Sequence, residues 1–407
     1  MNVGAPFDDF WLGRENVKRD TKIILIGAGI GGLTAAIALQ SRGFKVEIYE
    51  QAPQLAEVGA GLTLSPNATH GLESIGLGPR LAQLATRPER QAVLHYRTGE
   101  VLVDLPRGDL PKKQYGADYY QIHRADLHTL LADAVRSHDP NAIKLSHTFA
   151  GLTQNNNAVD VTFTNGVAVS ADVVIGCDGI KSAVREVLWG KAAPRFTGNI
   201  AWRGLVPIER LPKGFKLDPP SAAAVGVKHS MARYLIRDGT VLNYVAFAEK
   251  AGWEVESWAV RSEVSELLSE FHDWHESFQT FLAATPPELC FKWAIHDRDP
   301  LPQWTKNRVT LLGDAAHPML PFLGMGAASG IEDSVVLARA FEAAGSIEEG
   351  LKRYEGARRE RATFIQLASR EAQSRLQGGK VDNYTKNEHK NEEFLGLFNY
   401  NPATVAV

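Results

Sequence analysis

The sequence predicts an α/β protein in which a parallel-sheet unit is interrupted by a mainly antiparallel β-sheet block and followed by a C-terminal helical region. Three observations predict it. Residues 21–50 run strand, glycine turn, helix, strand. The same strand, turn and helix order returns in residues 172–188 and again in residues 308–341. Between Phe196 and Asp297 the texture changes to hairpin-rich alternation with one helix, as an inserted second domain would show.

The first unit opens on Ile23, Ile24, Leu25 and Ile26, a short apolar run expected of a parallel strand buried on both faces. G-x-G-x-x-G follows. Gly27 permits the tight turn, Gly29 lets backbone approach a pyrophosphate, and Gly32 lets the helix pack closely on the strand. Phosphates placed there meet free amides and the positive end of the helix dipole. Leu33, Ala36, Ile37 and Leu39 keep helical spacing up to Gly43, and Glu50 closes the next strand where a carboxylate accepts hydrogen bonds from an adenosine ribose. Glycines also serve ordinary turns, but a turn between strand and helix with an acid closing the following strand is the context of a Rossmann-like dinucleotide fingerprint.

Residues 59–77 combine a glycine pair, a Ser-Pro-Asn turn and a short amphipathic helix, either a loop lying against a cofactor or a plain connection. From Gln91 the chain alternates as a hairpin with Thr98-Gly99 at its turn. Residues 119–122 read as extended. Arg124 sits where that strand gives way to a helix starting near Asp126, with Leu127, Leu130, Leu131, Ala134 and Val135 on one face. It either reaches a ligand at the strand end or pairs with Asp126 on the surface. Residues 149–174 carry two more alternating strands, with turns at residues 155–157 and at Asn165-Gly166.

Val173 to Ile175 restores buried parallel-strand character, Asp178-Gly179 breaks it, and Ser182 is placed to cap the helix that follows. In the inserted block, Asp238-Gly239 joins two β-rich runs, and Leu267, Leu268, Phe271, Trp274 and Phe278 give residues 262–281 the spacing of one core helix. Val309 to Leu312 is a further buried strand ended by Gly313-Asp314. Pro318 and Pro321 hold the next loop open. Helix resumes near Ala327 behind Gly324 and Gly326, so its first amides face whatever sits against that terminus. Beyond Phe341 comes a charged amphipathic helix, then a polar tail from Gly378 to Val407 that covers the core or is partly disordered.

The whole chain narrows the function. Its 407 residues suffice for two or three packed lobes, and a net charge of −3 gives no basic field for nucleic acid or an anionic membrane surface. Two cysteines, Cys177 and Cys290, are too few for a disulfide framework or a structural zinc site and fit a reducing compartment. The first 20 residues lack the apolar core of a signal peptide, and no membrane span is read, so a cytoplasmic enzyme is expected. No G-x-S-x-G elbow and no H-E-x-x-H occurs, HKNEE in the tail reads as a solvated run, and no metal is expected.

With these pieces assembled, the sequence resembles the single-component flavin-dependent aromatic hydroxylases over residues 22–367. GAGIGG matches the fingerprint of that family, CDGIKSAVR its DG motif and LLGDAAHP its GD motif. IHRADLH and DPLPQW point to the salicylate hydroxylase and 6-hydroxynicotinate monooxygenase branch. The resemblance implies a Rossmann-like FAD-binding domain at 21–90, 120–195 and 296–345. It implies a substrate-binding β-sheet domain at 91–119 and 196–295, an N-terminal extension at 1–20, and a C-terminal helix and tail at 346–407. Gly27, Gly29 and Gly32 would hold the FAD pyrophosphate and Glu50 the adenosine ribose. Arg124 would contact the flavin, Asp178 would be shared between FAD and the pyridine nucleotide, and Asp314 would bind the ribityl chain. Gly324, Gly326 and Ala327 would meet the cofactor at the helix start, and Pro318 and Pro321 would border the isoalloxazine. His229, Arg233 and Tyr234 are the ring-side candidates of the inserted sheet. Many relatives place a glutamine at Met325, and the nearest branch a histidine at Thr63, so the ring-activating group is expected to differ.

The implied activity is hydroxylation of a small hydroxylated aromatic or heteroaromatic carboxylate by NADH or NADPH and dioxygen, with or without decarboxylation, in a monomer or homodimer. The alternatives are a flavoprotein hydroxylase of a larger phenolic ring and a non-oxygenating flavin-binding redox protein.

Overall fold

The computed structural model describes residues 17–55, 59–250, 252, 260–379, 381–385 and 389–407, so most of the N-terminal extension lies outside the described residues. Its frame is a five-stranded parallel sheet in the order Val309–Leu311, Val173–Gly176, Lys22–Ile26, Lys45–Tyr49, Ile143–Lys144. The three apolar runs, far apart in sequence, therefore lie side by side: Ile23 pairs with Val173 and Val46, and Val174 with Val309. Because the strands are parallel, the turns that follow them leave from the same end of the sheet, where ligand-binding crevices form in such folds. Gly27, Asp178 and Asp314 converge for that reason.

Helices Ile30–Gln40 and Gly326–Ala343 pack together at two glycines, where a Cβ on Gly330 would lie 3.6 Å from the Gly31 Cα. Ser334 Oγ closes this seam by donating to the Gly31 carbonyl at 2.9 Å. Residues 149–171 form three antiparallel strands where two were expected, because both expected turns form and each begins another strand.

The inserted block builds a seven-stranded sheet in the order Cys290–Asp297, Arg195–Pro207, Val241–Glu249, His229–Ile236, Ser221–Val225, Arg90–His95, Val101–Pro106. Helices Val264–Glu270 and Glu276–Ala283 cover one face, burying Phe271, Trp274, Phe278 and Phe281 against Trp202, Met231 and Tyr244. One continuous helix was expected here. The chain turns at residues 271–275 because the His275 amide donates to the Tyr96 carbonyl and its ring accepts from the Ser277 amide, capping the second helix. The opposite face lies over the two-stranded ribbon Gly61–Leu64 and Tyr120–His123 and over loop 318–323.

The long helix Ile347–Leu376 follows, and the tail covers the core: Leu397 and Phe398 are buried, and Arg339 donates to the Pro402 and Val405 carbonyls. No helix among the described residues is long and apolar enough to cross a membrane.

Candidate functional site

The fingerprint glycines answer to different demands. Gly27 adopts φ +105°, and a Cβ there would stand 2.6 Å from the Cys177 carbonyl oxygen; a Cβ on Gly32 would stand 2.2 Å from that of Gly27. The protein itself requires both. At Gly29 a Cβ would meet no atom of the described residues within 4 Å, and the backbone is extended at φ −72°, ψ −179°, which any residue adopts. What glycine keeps open at 29 is an approach to the helix N-terminus, which no side chain of the described residues caps. Glu50 sits at the same turn, accepting from the Ala28 amide at 2.8 Å and the Ala52 amide at 2.9 Å. A cleft of about 320 Å³ opens nearby between Gln54, Leu55 and helix residues His128, Ala132 and Arg136. His128 braces the turn through the Ala28 carbonyl at 2.7 Å.

The other expected cofactor residues border the same edge. Asp178 receives the Val184 amide on one oxygen at 3.1 Å, while its other oxygen is buried with no hydrogen-bond partner among the described residues; burial raises its pKa, and the nearby Ser182 hydroxyl and Val184 amide oppose that rise. Ser182 caps its helix by accepting from the Arg185 amide. Asp314 is solvent-accessible yet densely surrounded, as at the floor of a cleft; burial pushes its carboxyl up and the charges of His317 and Arg124 draw it down. Arg124 starts helix Arg124–His138, and both Asp126 oxygens receive the Arg237 fork at 2.9 and 2.7 Å, while Arg124's charge acts on Asp314. Among the described residues the helix Gly326–Ala343 has no side-chain cap either, and a Cβ on Gly326 would meet nothing within 4 Å; Gly324 takes φ +65°, and Ala327 is half-buried. Two uncapped helix ends, Glu50 and Asp314 suit a diphosphate flanked by polyhydroxylated arms, so these residues could hold FAD.

Behind Asp314 lies a buried ionic cluster that the motifs did not announce. One Asp333 oxygen accepts from the Gly313 amide at 3.0 Å and from His317 Nε2 at 2.6 Å, and the other from Arg358 Nε at 2.7 Å. A single carboxylate thus ties both ends of the turn that presents Asp314. Arg358 continues to Glu332 at 2.6 Å, and Glu332 also receives Asn67 and Arg361. Burial works to raise the Asp333 carboxyl, but His317 and Arg358 outweigh it and hold it down to about 2. The signal available was the Glu332-Asp333 pair within an apolar helix, since buried acids demand cations.

Strand alternation divides the ring-side candidates. His229, Met231 and Arg233 point to the helix-covered face: His229 Nε2 pairs with Glu270 at 3.0 Å and its ring meets Phe271 edge-on, while Arg233 donates to the Pro219 carbonyl at 2.7 Å. The expectation that His229 and Arg233 contact the ring is therefore corrected. Tyr234, one position on, faces the cleft and lies over Gly61.

The cleft-facing side is organised in cross-strand rows. Ala223 pairs with Ala232, Ala232 with Val245, Val245 with Arg203, and Arg203 with Phe291. Ala223, Ala232 and Val245 are partly exposed. Bulkier rows, one through Tyr234, Asn243 and Leu205 and one through Ser230, Phe247, Ala201 and Trp293, flank them about 7 Å to each side. The result is a shallow trough floored by small side chains. Loop 318–323 closes it, with Phe322 against Phe247 at 4.7 Å and Leu320 buried against Ala201 and Trp293. Pro318 is buried, its carbonyl accepting from Gln366, and Pro321 is exposed at the start of a short turn. Arg203, 4% exposed, ends the trough with its guanidinium 5.4 Å from the Phe291 and Trp293 ring centroids. Sequence reasoning missed Arg203, although a charge inside the apolar strand IAWRGLVP was the signal. Met325 is buried with its sulfur against Ser65, and Thr63 lies beside Gly324. Among the described residues no group of three His, Cys, Asp or Glu is arranged to hold a metal ion.

The chain is similar to known proteins over most of its length. A family model described as FAD binding domain matches residues 20–369. The chain is 35% identical over 360 residues to 6-hydroxynicotinate 3-monooxygenase of Pseudomonas fluorescens, covering 87% of this chain and 91% of the relative. It is 33% identical over 358 residues to 3-hydroxybenzoate 6-hydroxylase 1 of Aquipseudomonas alcaligenes, covering 86% and 88%. Among solved structures, Klebsiella pneumoniae HpxO complexed with FAD and uric acid aligns with TM-score 0.82 at 25% identity, covering 94% of this chain and 97% of that one. A salicylate hydroxylase substrate complex aligns with TM-score 0.79 at 26% identity, covering 94% and 96%.

Proposed function

The chain belongs to the FAD binding domain family, and from that premise we propose that it is an FAD-dependent monooxygenase that hydroxylates a small hydroxylated aromatic or heteroaromatic carboxylate. The observation that carries the substrate class is the trough over Ala223 and Ala232 with Arg203 at its end. FAD, when bound, supplies hydride acceptance from NADH or NADPH and activation of dioxygen toward an electron-rich ring. This chain's residues supply the rest. The small floor lets a flat ring lie against the sheet. The Arg203 guanidinium, set beside two aromatic rings, places a buried positive charge at the end of the trough that draws a substrate carboxylate there and so fixes which ring carbon faces the cofactor. Leu320, Phe322, Phe247 and Trp293 keep water from the reacting face. Asp314 and the two uncapped helix ends orient the cofactor.

Two of the relatives act, by name, on 6-hydroxynicotinate and 3-hydroxybenzoate, which supports a substrate bearing both a hydroxyl and a carboxylate. The test is an oxygen-electrode and absorbance screen of the flavoprotein against hydroxybenzoates and hydroxynicotinates, some carboxyl-labelled. Substrate-stimulated NAD(P)H oxidation with a hydroxylated product is expected, and labelled carbon dioxide distinguishes the decarboxylating version. Turnover of bulky neutral phenols alongside none of the small acids overturns the substrate class.

A further inference from the structure

We infer that the C-terminal segment 389–400 positions one edge of the ring trough through a buried ion pair between Arg107 and Glu393, an inference that rests on reading the trough as the ring site. Arg107 follows the edge strand Val101–Pro106 and is 4% exposed. Its Nη1 donates to Glu393 Oε2 at 2.6 Å and its Nε to Gln91 Oε1 at 2.6 Å. The Tyr119 and Phe398 rings stand 5.2 and 5.6 Å from the guanidinium. Tyr115 donates its hydroxyl to the other Glu393 oxygen at 3.1 Å, and the Glu392 charge lies close by.

From Arg107 the contacts run inward. Gln91 donates to the Tyr119 hydroxyl and to Ser221 Oγ, each at 3.3 Å, and Gln121 donates to Ser221 Oγ at 2.7 Å. Gln91 and Ser221 pair across adjacent strands and extend the flanking row that continues through Tyr234 and Asn243. The Tyr119 hydroxyl lies near the Thr63 side chain, whose Oγ1 is 3.0 Å from where a Gly324 Cβ would be. Glu393, Arg107, Gln91 and Tyr119 therefore form a continuous hydrogen-bonded series from the tail to the Tyr119 hydroxyl, which lies beside Thr63 and the loop next to the expected flavin ring.

A latch serving only to hold the tail would lose nothing by being apolar, since buried ion pairs are often matched or bettered by well-packed hydrophobic groups. Here Arg107 spends its second donor on Gln91, and that amide sets the trough edge. Arg107 and Glu393 are positioning residues: they touch no reacting atom, and they act through Gln91 and Tyr119.

The experiment compares full-length holoenzyme carrying Glu393→Gln, Glu393→Asp or, as a tail control outside the series, Arg375→Ala, whose contact is to the Lys390 carbonyl. Three quantities are read: FAD content, the split between KM and kcat with the fraction of NAD(P)H released as peroxide, and hydrogen exchange across Gly61–Leu64 and Tyr120–His123. For Glu393→Gln, full FAD content with an about tenfold loss in kcat/KM or coupling is expected. Partial rescue in Glu393→Asp and no change in Arg375→Ala are expected alongside. Glu393→Gln with wild-type KM, coupling and exchange overturns the inference. If Glu393→Gln does not fold, Glu393→Asp is read in its place against the same criteria. If no aromatic acid turns over even in the wild type, the functional reading has failed on its own. Exchange then decides: faster exchange at the ribbon in Glu393→Gln upholds the positioning, and equal exchange refutes it.

Discussion

Gly29→Ala and Gly32→Ala separate what the fold needs from what the ligand needs. At position 32 the new Cβ would stand 2.2 Å from the Gly27 carbonyl oxygen, and reaching an ordinary contact of about 3.5 Å requires more than an ångström of movement between helix and turn. Forced overpacking of this kind costs about 1–3 kcal/mol, and each kcal/mol lowers Tm by about 1 °C in a chain of this length. At position 29 the Cβ meets no atom of the described residues within 4 Å and the backbone is already extended. Replacing that glycine stabilises the flavin-free protein by about 0.4–1 kcal/mol, through the unfolded chain. The same methyl stands where a diphosphate would approach the helix amides. A clash of about 1–3 kcal/mol there weakens FAD binding by roughly 5- to 150-fold. The assay is thermal unfolding of the flavin-free protein followed by FAD titration through flavin fluorescence. Gly29→Ala should keep Tm and lose affinity, whereas Gly32→Ala should lose Tm before any FAD is added. If Gly29→Ala unfolds as early as Gly32→Ala, or binds FAD like the wild type, position 29 is not kept open for a ligand.

Three further outcomes are expected. Arg203→Lys keeps the charge but loses the planar fork, so KM for a carboxylate substrate should rise by about tenfold with FAD content intact; an unchanged KM removes Arg203 from substrate binding. Ala232→Leu fills the trough floor, and ring binding should fall by at least about tenfold while flavin binding persists, checked by the substrate-induced change in the flavin spectrum. The His229–Glu270 pair makes stability depend on pH in two windows. The bond from His229 leads in drawing Glu270 from 4.5 down to about 2, against burial and with help from Lys250, so that share is present above about pH 4.5 and lost as pH falls toward 2. Burial works to lower His229, but the Glu270 bond outweighs it and raises the imidazole, so its share is present below about pH 6.5 and lost as pH rises through the raised value. His229→Gln should flatten both arms of a Tm-against-pH profile, and equal slopes in variant and wild type refute the pair's contribution.

The residues that are easy to read from sequence and those that are not differ in what constrains them. The three strand-and-turn motifs are legible because strands buried on both faces give continuous apolar runs, and because positive φ at Gly27 and the close approach at Gly32 leave glycine little alternative. Arg124 was legible as a position, at the junction of strand and helix, but its direction was not. The ionic cluster was half legible: Glu332-Asp333 announces a need for cations, yet Arg358 arrives from the next helix, and no local pattern says which arginine it will be. The seven-stranded sheet resisted for a sharper reason. Arg233 and Tyr234 are neighbours, and a shift of one residue in phase sends one to the helices and the other to the cleft. In a sheet with one solvated face the phase shows as polar against apolar alternation. Here Trp202, Met231 and Tyr244 face the helices while Ala201, Val245 and Phe247 face the cleft, so both faces are apolar and the alternation carries no phase. What sets it is the fold-back of Val264–Glu270 and Glu276–Ala283, whose Phe271, Trp274, Phe278 and Phe281 take one face and leave the other to the ribbon and the loop at 318–323. That choice depends on a connection between strands rather than on the strands themselves, so a buried charge in a sheet covered on both sides acquires a function only once the covering element has been placed.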